Sequence, residues 1–330
     1  MRYFILGKKE WDMRLGELIQ SHTIYAAVSS EFGQDIELLK PEDIPAILYN
    51  KPKPATPLKS FFLPVKEDVT STRAPEKPRI IIGMPNCDIE ALNLLDAMYL
   101  DNDYVDAFFR ERRDQTLLIS SDCFSTLEHC HCLTYGIKPY SSGTADLSIV
   151  QINGSVIFKT INTRGEEFIK KLDGAAPLTD ESIISSIERK HEETEAQLRS
   201  ANKDLPDYQI TGSLIHSSGA GIWKKYSSDC VSCGACTTIC PTCTCFLLID
   251  KPGFKKIKQL DACQYPGFER VAGGEDPLHE LPVRFRNRYM CKYFWKPAKF
   301  KPEACTGCGR CIEACIGKIN KNELFRELTN

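Results

Sequence analysis

Long apolar runs are missing from this chain. No stretch of its 330 residues approaches the roughly 20 consecutive apolar residues that a bilayer-spanning helix needs. An excess of one charge is missing too. Lys plus Arg number 42 against 44 Asp plus Glu, a formal net charge of -2, so neither a nucleic-acid backbone nor an anionic lipid surface is an expected partner. The opening MRYFILGKKEWD has no signal-peptide core and no cleavage site, and a cytoplasmic location is expected from it. Nucleotide-binding signatures are absent as well. No GxGxxG follows a strand, the GAG beginning at Gly219 lacks the third glycine and the preceding strand, and there is no Walker A run. A flavin or nicotinamide is therefore expected on a partner rather than in this chain.

Cysteine, by contrast, is abundant, with 16 residues. Without a secretory address, so many thiols point to a reducing compartment and to metal rather than to disulfides. Two runs carry the strongest signal: CVSCGACTTICP beginning at Cys230 and CTGCGRCIEAC beginning at Cys305. In each, three cysteines are separated by two residues and a fourth follows after three more. A tight turn with thiolates at every third position wraps three corners of a [4Fe-4S] cubane, and the fourth thiolate ligates the cube of the other run. Cluster I is thus expected on Cys230, Cys233, Cys236 and Cys315, and cluster II on Cys305, Cys308, Cys311 and Cys240. Zinc competes poorly, because a tetrahedral site built from two CxxC knuckles leaves the third close-set cysteine of each run unused. Backbone amides near Gly234, Gly307 and Gly309 can approach cluster sulfides and raise their potential, while the plainer reading of these glycines is tight turns.

The expected architecture is an α/β N-terminal domain (residues 1–175), a helical linker (176–213) and a bacterial ferredoxin-like α+β domain holding two [4Fe-4S] clusters (214–330). PRIIIG from Pro78 and TLLISS from Thr116 read as buried strands, with a helix over DIEALNLLDAMYL between them. LSIVQINGSVIFKT from Leu147, with Asn153-Gly154 at its centre, reads as a hairpin. The charged segment from Thr179 reads as an exposed helix capped by Thr179 or Asp180, with a narrow stripe of Ile183, Ile184, Ile187 and Leu198. Beyond about Ser213 the periodicity fades, as in small domains where metal bonds replace much of the core.

The other eight cysteines fall into two groups of four. Cys87 and Cys123 each follow one of the two expected strands, and Cys130 and Cys132 lie in the loop EHCHC. Adjacent strands end side by side, so these four thiols can meet and hold a third cubane. Two alternatives stand beside it: a Cys/His zinc site using His129 and His131, or Cys87 as a lone low-pKa nucleophile before a helix. The histidines themselves read as solvated loop residues. Cys243, Cys245, Cys263 and Cys291 form the last group, either a fourth cubane or four small buried hydrophobes. Nearby RFRNRYMCK carries Arg284, Arg286 and Arg288 in alternation; on a strand such a stripe faces one side, toward anionic clusters, a partner's acidic patch or solvent.

Six segments in order resemble one family: TPLKSFFLPVKE from Thr56, NCDIEALNLLDAMYLDNDY, the DCF and HCHC pair, CVSCGACTTICPTCTC, DACQYPGFERVAGG and CTGCGRC. Across most of its length the chain is similar to the electron-transfer family that includes the iron–sulfur subunit of anaerobic sulfite reductase and the sulfhydrogenase beta subunit. The resemblance implies an iron–sulfur protein passing electrons between a partner that binds flavin and NAD(P) and a catalytic reductase or hydrogenase partner. It also implies metal ligation by the set Cys87, Cys123, Cys130 and Cys132. Three positions depart from the family pattern. Cys291 stands where relatives usually carry histidine, Leu260 replaces a tryptophan, and Ile316 replaces a proline that shapes the turn without binding metal.

The expected function is an electron relay within an anaerobic multi-subunit oxidoreductase, itself non-catalytic. Two other readings use the same residues: a catalytic iron–sulfur enzyme with an open cluster corner, and a zinc-stabilised interaction module. The terminal acceptor, the direction of flow and the cluster potentials depend on hydrogen bonding and exposure around each sulfur, which spacing does not encode.

Overall fold

The computed structural model describes residues 2–30, 33–71, 77–101, 103–141 and 143–329, so Asn102 of the NCDIEALNLLDAMYLDNDY segment lies outside them. The strands are β1 (Tyr3–Gly7), β2 (Thr23–Ser30), β3 (Gly33–Leu38), β4 (Lys66–Asp68), β5 (Arg79–Met84), β6 (Thr116–Ser121), β7 (Leu147–Ile152), β8 (Ser155–Thr160), β9 (Ala176–Pro177), β10 (Phe246–Lys251) and β11 (Lys255–Leu260). Eight of them form one mixed sheet in the order β3-β2-β5-β6-β7-β8-β1-β9. Its centre, β2-β5-β6-β7, is parallel. The remaining pairs are antiparallel.

The apolar run of β5 is buried along its whole length, as expected for a parallel strand covered on both faces. One face packs under the helix Lys8–Ser21, whose Trp11 and Leu15 meet Ile80, Ile82 and Phe158. The other carries Leu58, Phe62, Leu92, Leu95 and Phe109 against Ile81 and Leu118. Asn153 and Gly154, at φ 49° and 76°, make the two-residue turn that joins β7 to β8, since both central positions of such a turn need positive φ.

The helix Glu181–Ala201 starts where the Asp180 carboxylate accepts from the Ser182 amide. It is not simply exposed. Ile187 is buried with Val150 and Ile157 of the sheet, and Thr194 and Leu198 are buried as well. His191 Nε2 lies 2.8 Å from an Asp122 carboxylate oxygen and the ring stacks on Tyr140, tying the helix to the end of β6.

The cysteine-rich half holds a small sheet in the order β10-β11-β4, so three residues from the first third of the chain complete it. Its apolar cluster is largely aromatic, with Trp223, Phe285, Tyr289, Tyr293 and Phe325 packed beside Tyr135 and Cys305. The RFRNRYM segment is helical, within Leu281–Met290, and not a strand. This helix widens into a π turn over Cys291–Trp295 and runs on through Lys296–Phe300, an irregularity that recurs at functional sites. Among the described residues no helix is long and apolar enough to cross a membrane.

Candidate metal centre

Each ferredoxin-like run folds into a loop followed by a one-turn helix, Ala235–Thr238 after Gly234 and Arg310–Glu313 after Gly309. The third cysteine lies on that helix and the fourth follows it. Cys230, Cys233, Cys236 and Cys315 line one pocket, together with Cys311. Cys240 leaves this pocket and packs beside the second run: Thr242 Oγ1 lies 3.2 Å from its sulfur and donates to the Ala304 carbonyl at 2.6 Å. Lys292 Nζ reaches the same sulfur at 3.1 Å and also donates to the Ala304 carbonyl. Cys315 of the second run thus shares a pocket with the first run, while Cys240 lies away from that pocket beside Ala304, next to Cys305.

Cys87, Cys123, Cys130 and Cys132 also line a single pocket. The parallel pairing of β5 with β6 brings Cys87 and Cys123 to one sheet edge, and the 130–132 loop closes over them. Helix 181–201 contributes Thr194 and Leu198 to this pocket, and Asn202 at its end donates to the Cys130 carbonyl at 2.9 Å. Burial, then the neighbouring Asp88 charge, push the Cys87 thiol well above its ordinary pKa, which opposes a low-pKa nucleophile there. Cys243, Cys245, Cys263 and Cys291 line a further pocket. In it the Cys245 and Cys263 sulfurs share a hydrogen bond that lowers Cys263 to about 6 and raises Cys245.

The two runs and the N-terminal loop are physically joined. The His131 amide donates to the Gly307 carbonyl at 2.8 Å. Gly307 and Gly309 have φ of 65° and 78°, and a Cβ on either would strike the backbone of the His129–Cys132 loop. These glycines thus permit a close approach of two chain segments as well as a turn. Burial raises the Cys305 thiol, but Lys321, Lys292 and the Gly307 amide against its sulfur outweigh it, and the pKa falls below its ordinary value. Gly234, at φ 73°, packs against Ala262 and Tyr265.

His131 is fully buried rather than solvated. Its Nδ1 donates to the His129 carbonyl at 2.7 Å, and Nε2 accepts from Lys321 Nζ at 2.7 Å. Burial and the Lys321 charge hold its pKa well below the usual imidazole value, so the ring is neutral and both nitrogens are engaged. The loop's histidines signal position, but nothing in the sequence pairs His131 with a lysine 190 residues away.

The basic residues give the most informative test of what these pockets can hold. Arg284, Arg288 and Lys292 recur at every fourth position, and the π turn carries Cys291 and Lys292 inward together. Arg284 clamps the carbonyls of Gln264, Leu278 and His279 and reaches Ser232 Oγ at 3.2 Å. Arg286 instead caps the helix Tyr208–Ser217 at the His216 carbonyl, 2.8 Å away. Arg288 is 4% exposed, donates to the Cys236 carbonyl at 3.1 Å, and lines the pockets of both the 230–315 set and the 243–291 set. Lys292 and Lys59 are each 3% exposed; Lys59 donates to the Thr237 and Cys243 carbonyls.

No ion pair among the described residues includes Lys59, Arg288, Lys292 or Lys321, and Arg288 Nε is buried without a hydrogen-bond partner. Burying a cation without a counter-charge costs several kcal/mol on the order of magnitude. The side chains facing Arg288 and Lys292 are cysteines, and a cysteine supplies a counter-charge only as the thiolate. Burial lowers the Lys292 pKa, but Cys240 and Cys243 outweigh it and raise the group above its ordinary value; Cys236 and Cys311 outweigh burial in the same way at Arg288. A net-anionic cubane with four thiolates fits such a cationic lining.

Zinc fits it less well. Among the described residues no group of three or more His, Cys, Asp or Glu side chains is placed to hold one metal ion. The thiols instead line three separate pockets, a spread that suits a multi-atom cluster more than a single ion.

Residues 229–319 match the family described as 4Fe-4S dicluster domain, the class to which the motifs, the pockets and the cationic lining also point. The chain is also 28% identical over 284 residues to sulfhydrogenase 2 subunit beta of Pyrococcus furiosus, covering 82% of this chain and 80% of that protein. Both findings support the family read from the six segments, that of the anaerobic sulfite reductase iron–sulfur subunit with the sulfhydrogenase beta subunit. No solved structure matches the chain.

Proposed function

We propose that this chain is an iron–sulfur electron-transfer subunit that relays electrons between a flavin and NAD(P)-binding partner and a catalytic reductase or hydrogenase partner. One observation carries the reading: three sets of four cysteines each line one pocket, and the buried cations Arg288, Lys292 and Lys59 beside the C-terminal cysteines make no ion pair with a carboxylate among the described residues. When bound, [4Fe-4S] clusters supply one-electron carriers. Cys230, Cys233, Cys236 and Cys315 would hold the first, Cys305, Cys308, Cys311 and Cys240 the second, Cys87, Cys123, Cys130 and Cys132 a third, and Cys243, Cys245, Cys263 and Cys291 a fourth.

The rest of the chain binds and tunes. Lys292, Lys59 and Arg288 stabilise negative charge on the thiolates, while Tyr289, Tyr293 and Phe325 keep water from the buried second set. Amides at Gly234, Gly307 and Gly309 donate toward cluster sulfur. The division into a 1–175 lobe, a 176–213 linker and a 214–330 dicluster lobe gives donor and acceptor separate docking regions. The match to a sulfhydrogenase beta subunit supports a hydrogenase-type complex.

The test is Cys240→Ser in anaerobically purified protein. Cluster-resolved EPR is expected to lose the second cluster and keep the first. Loss of the first cluster instead would reject the crossed ligation.

A further inference from the structure

Resting on the electron-relay reading, we propose that the second cysteine set is a three-way junction, so that the chain distributes electrons among three surfaces rather than carrying them along a single line. Cys240, Cys305 and Cys308 are among the most buried of the 16 cysteines, which makes this set the interior one. Each of three members turns toward a different neighbour. Cys308 lines the pocket of Cys87, Cys123, Cys130 and Cys132, with Gly307 beside it. Cys311 lines the pocket of Cys230, Cys233, Cys236 and Cys315. Cys240 lies next to Cys243, whose amide donates to the Cys240 carbonyl at 3.4 Å, and Lys292 both touches the Cys240 sulfur and lines the 243–291 pocket.

The three outer pockets share no cysteine with one another. Among the described residues the N-terminal pocket shares no lining residue with the other two, which makes Cys308 of the interior set its link to Cys311 and Cys240, and Arg288 lines both of the remaining pockets. Their mouths differ in chemistry. Exposed Val231 and Ile316 flank the first set, exposed Phe246 and Trp295 flank the 243–291 set, and Ser125, Thr126 and Lys138 border the N-terminal one. Three unlike rims suit three unlike contacts. The electron count balances directly: one electron lost by a partner's reduced flavin or iron–sulfur centre at one rim is gained by an oxidised partner centre at another, with no bond made or broken.

The experiment uses the full-length chain, purified anaerobically and reduced with dithionite, with iron content and spin–spin coupling between clusters read by EPR. Each outer set is broken by two alternative variants: Cys233→Ser or Cys315→Ser, Cys123→Ser or Cys132→Ser, and Cys263→Ser or Cys291→Ser. Retention of the untouched signals reports an intact fold, and the second variant replaces any that loses them all. Wild type is expected to hold about 16 iron atoms at four per cluster. Each variant should lose about four of them and one signal, while the two other outer clusters stay coupled to the interior one. A linear order is shown, and the junction overturned, if breaking one outer set uncouples another. It is overturned too if wild type holds only about 12 iron atoms and the Cys263 and Cys291 variants change nothing; the relay itself survives that result. Absence of any cubane signal removes the relay and the junction together.

Discussion

The two halves of this molecule are held together by different forces. Around the eight-stranded sheet, Trp11, Ile80, Ile82, Phe158 and their neighbours bury apolar surface on both faces, and the hydrophobic effect suffices without any ligand. Around the cysteines, the interior is instead supplied with Arg288, Lys292, Lys59 and Lys321, side chains that burial alone disfavours. One half is complete as protein. The other buries cations that call for an anionic counterpart, and on the proposed reading its stability is coupled to what the cysteines bind.

Removing the metal is the strongest way to break that comparison. Anaerobic chelation is expected to raise amide exchange and proteolysis across residues 214–329 and the 129–132 loop, while β5, β6, β7 and β8 stay protected; uniform protection before and after would erase the distinction. Arg288→Leu should act in the opposite direction in the two states. With clusters bound it is expected to cost about 3–5 kcal/mol, the range for removing one partner of a buried charge pair, and in the metal-free protein it should be neutral or stabilising, as denaturant titrations of both forms will show. A smaller effect sharpens the other side. Ile157→Val, in the cluster of Val150 and Ile187, is expected to cost about 0.5–1.5 kcal/mol equally with and without iron, and to leave the iron content unchanged.

Much of this architecture is legible in the sequence. The apolar runs at Ile80–Ile82 and Leu117–Ile119 mark strands, Asn153-Gly154 marks the hairpin, and the crossed reading of the CxxCxxCxxxC spacing puts Cys315 with Cys230, Cys233 and Cys236, which line one pocket with it. Other features are not encoded locally. β4 is three polar residues, Lys66, Glu67 and Asp68, with no strand pattern of its own, and it exists only because β11 offers an edge. The alternating arginines satisfy a period of two, but Arg284 and Arg288 also satisfy a helical period, and tertiary context chose the helix. A buried Lys59, Lys292 or Lys321 looks like any surface lysine until the carbonyl, sulfur and imidazole partners, distant in sequence, are known. The same holds for His131, whose loop setting suggests solvent until Lys321 is found against its ring.

The central claim is that the thiols of this chain carry inorganic iron–sulfur cubes. Iron and acid-labile sulfide, measured per chain in anaerobically purified protein, test it most directly. The account predicts about 12–16 of each, from three or four cubanes; zinc with no labile sulfide would contradict it.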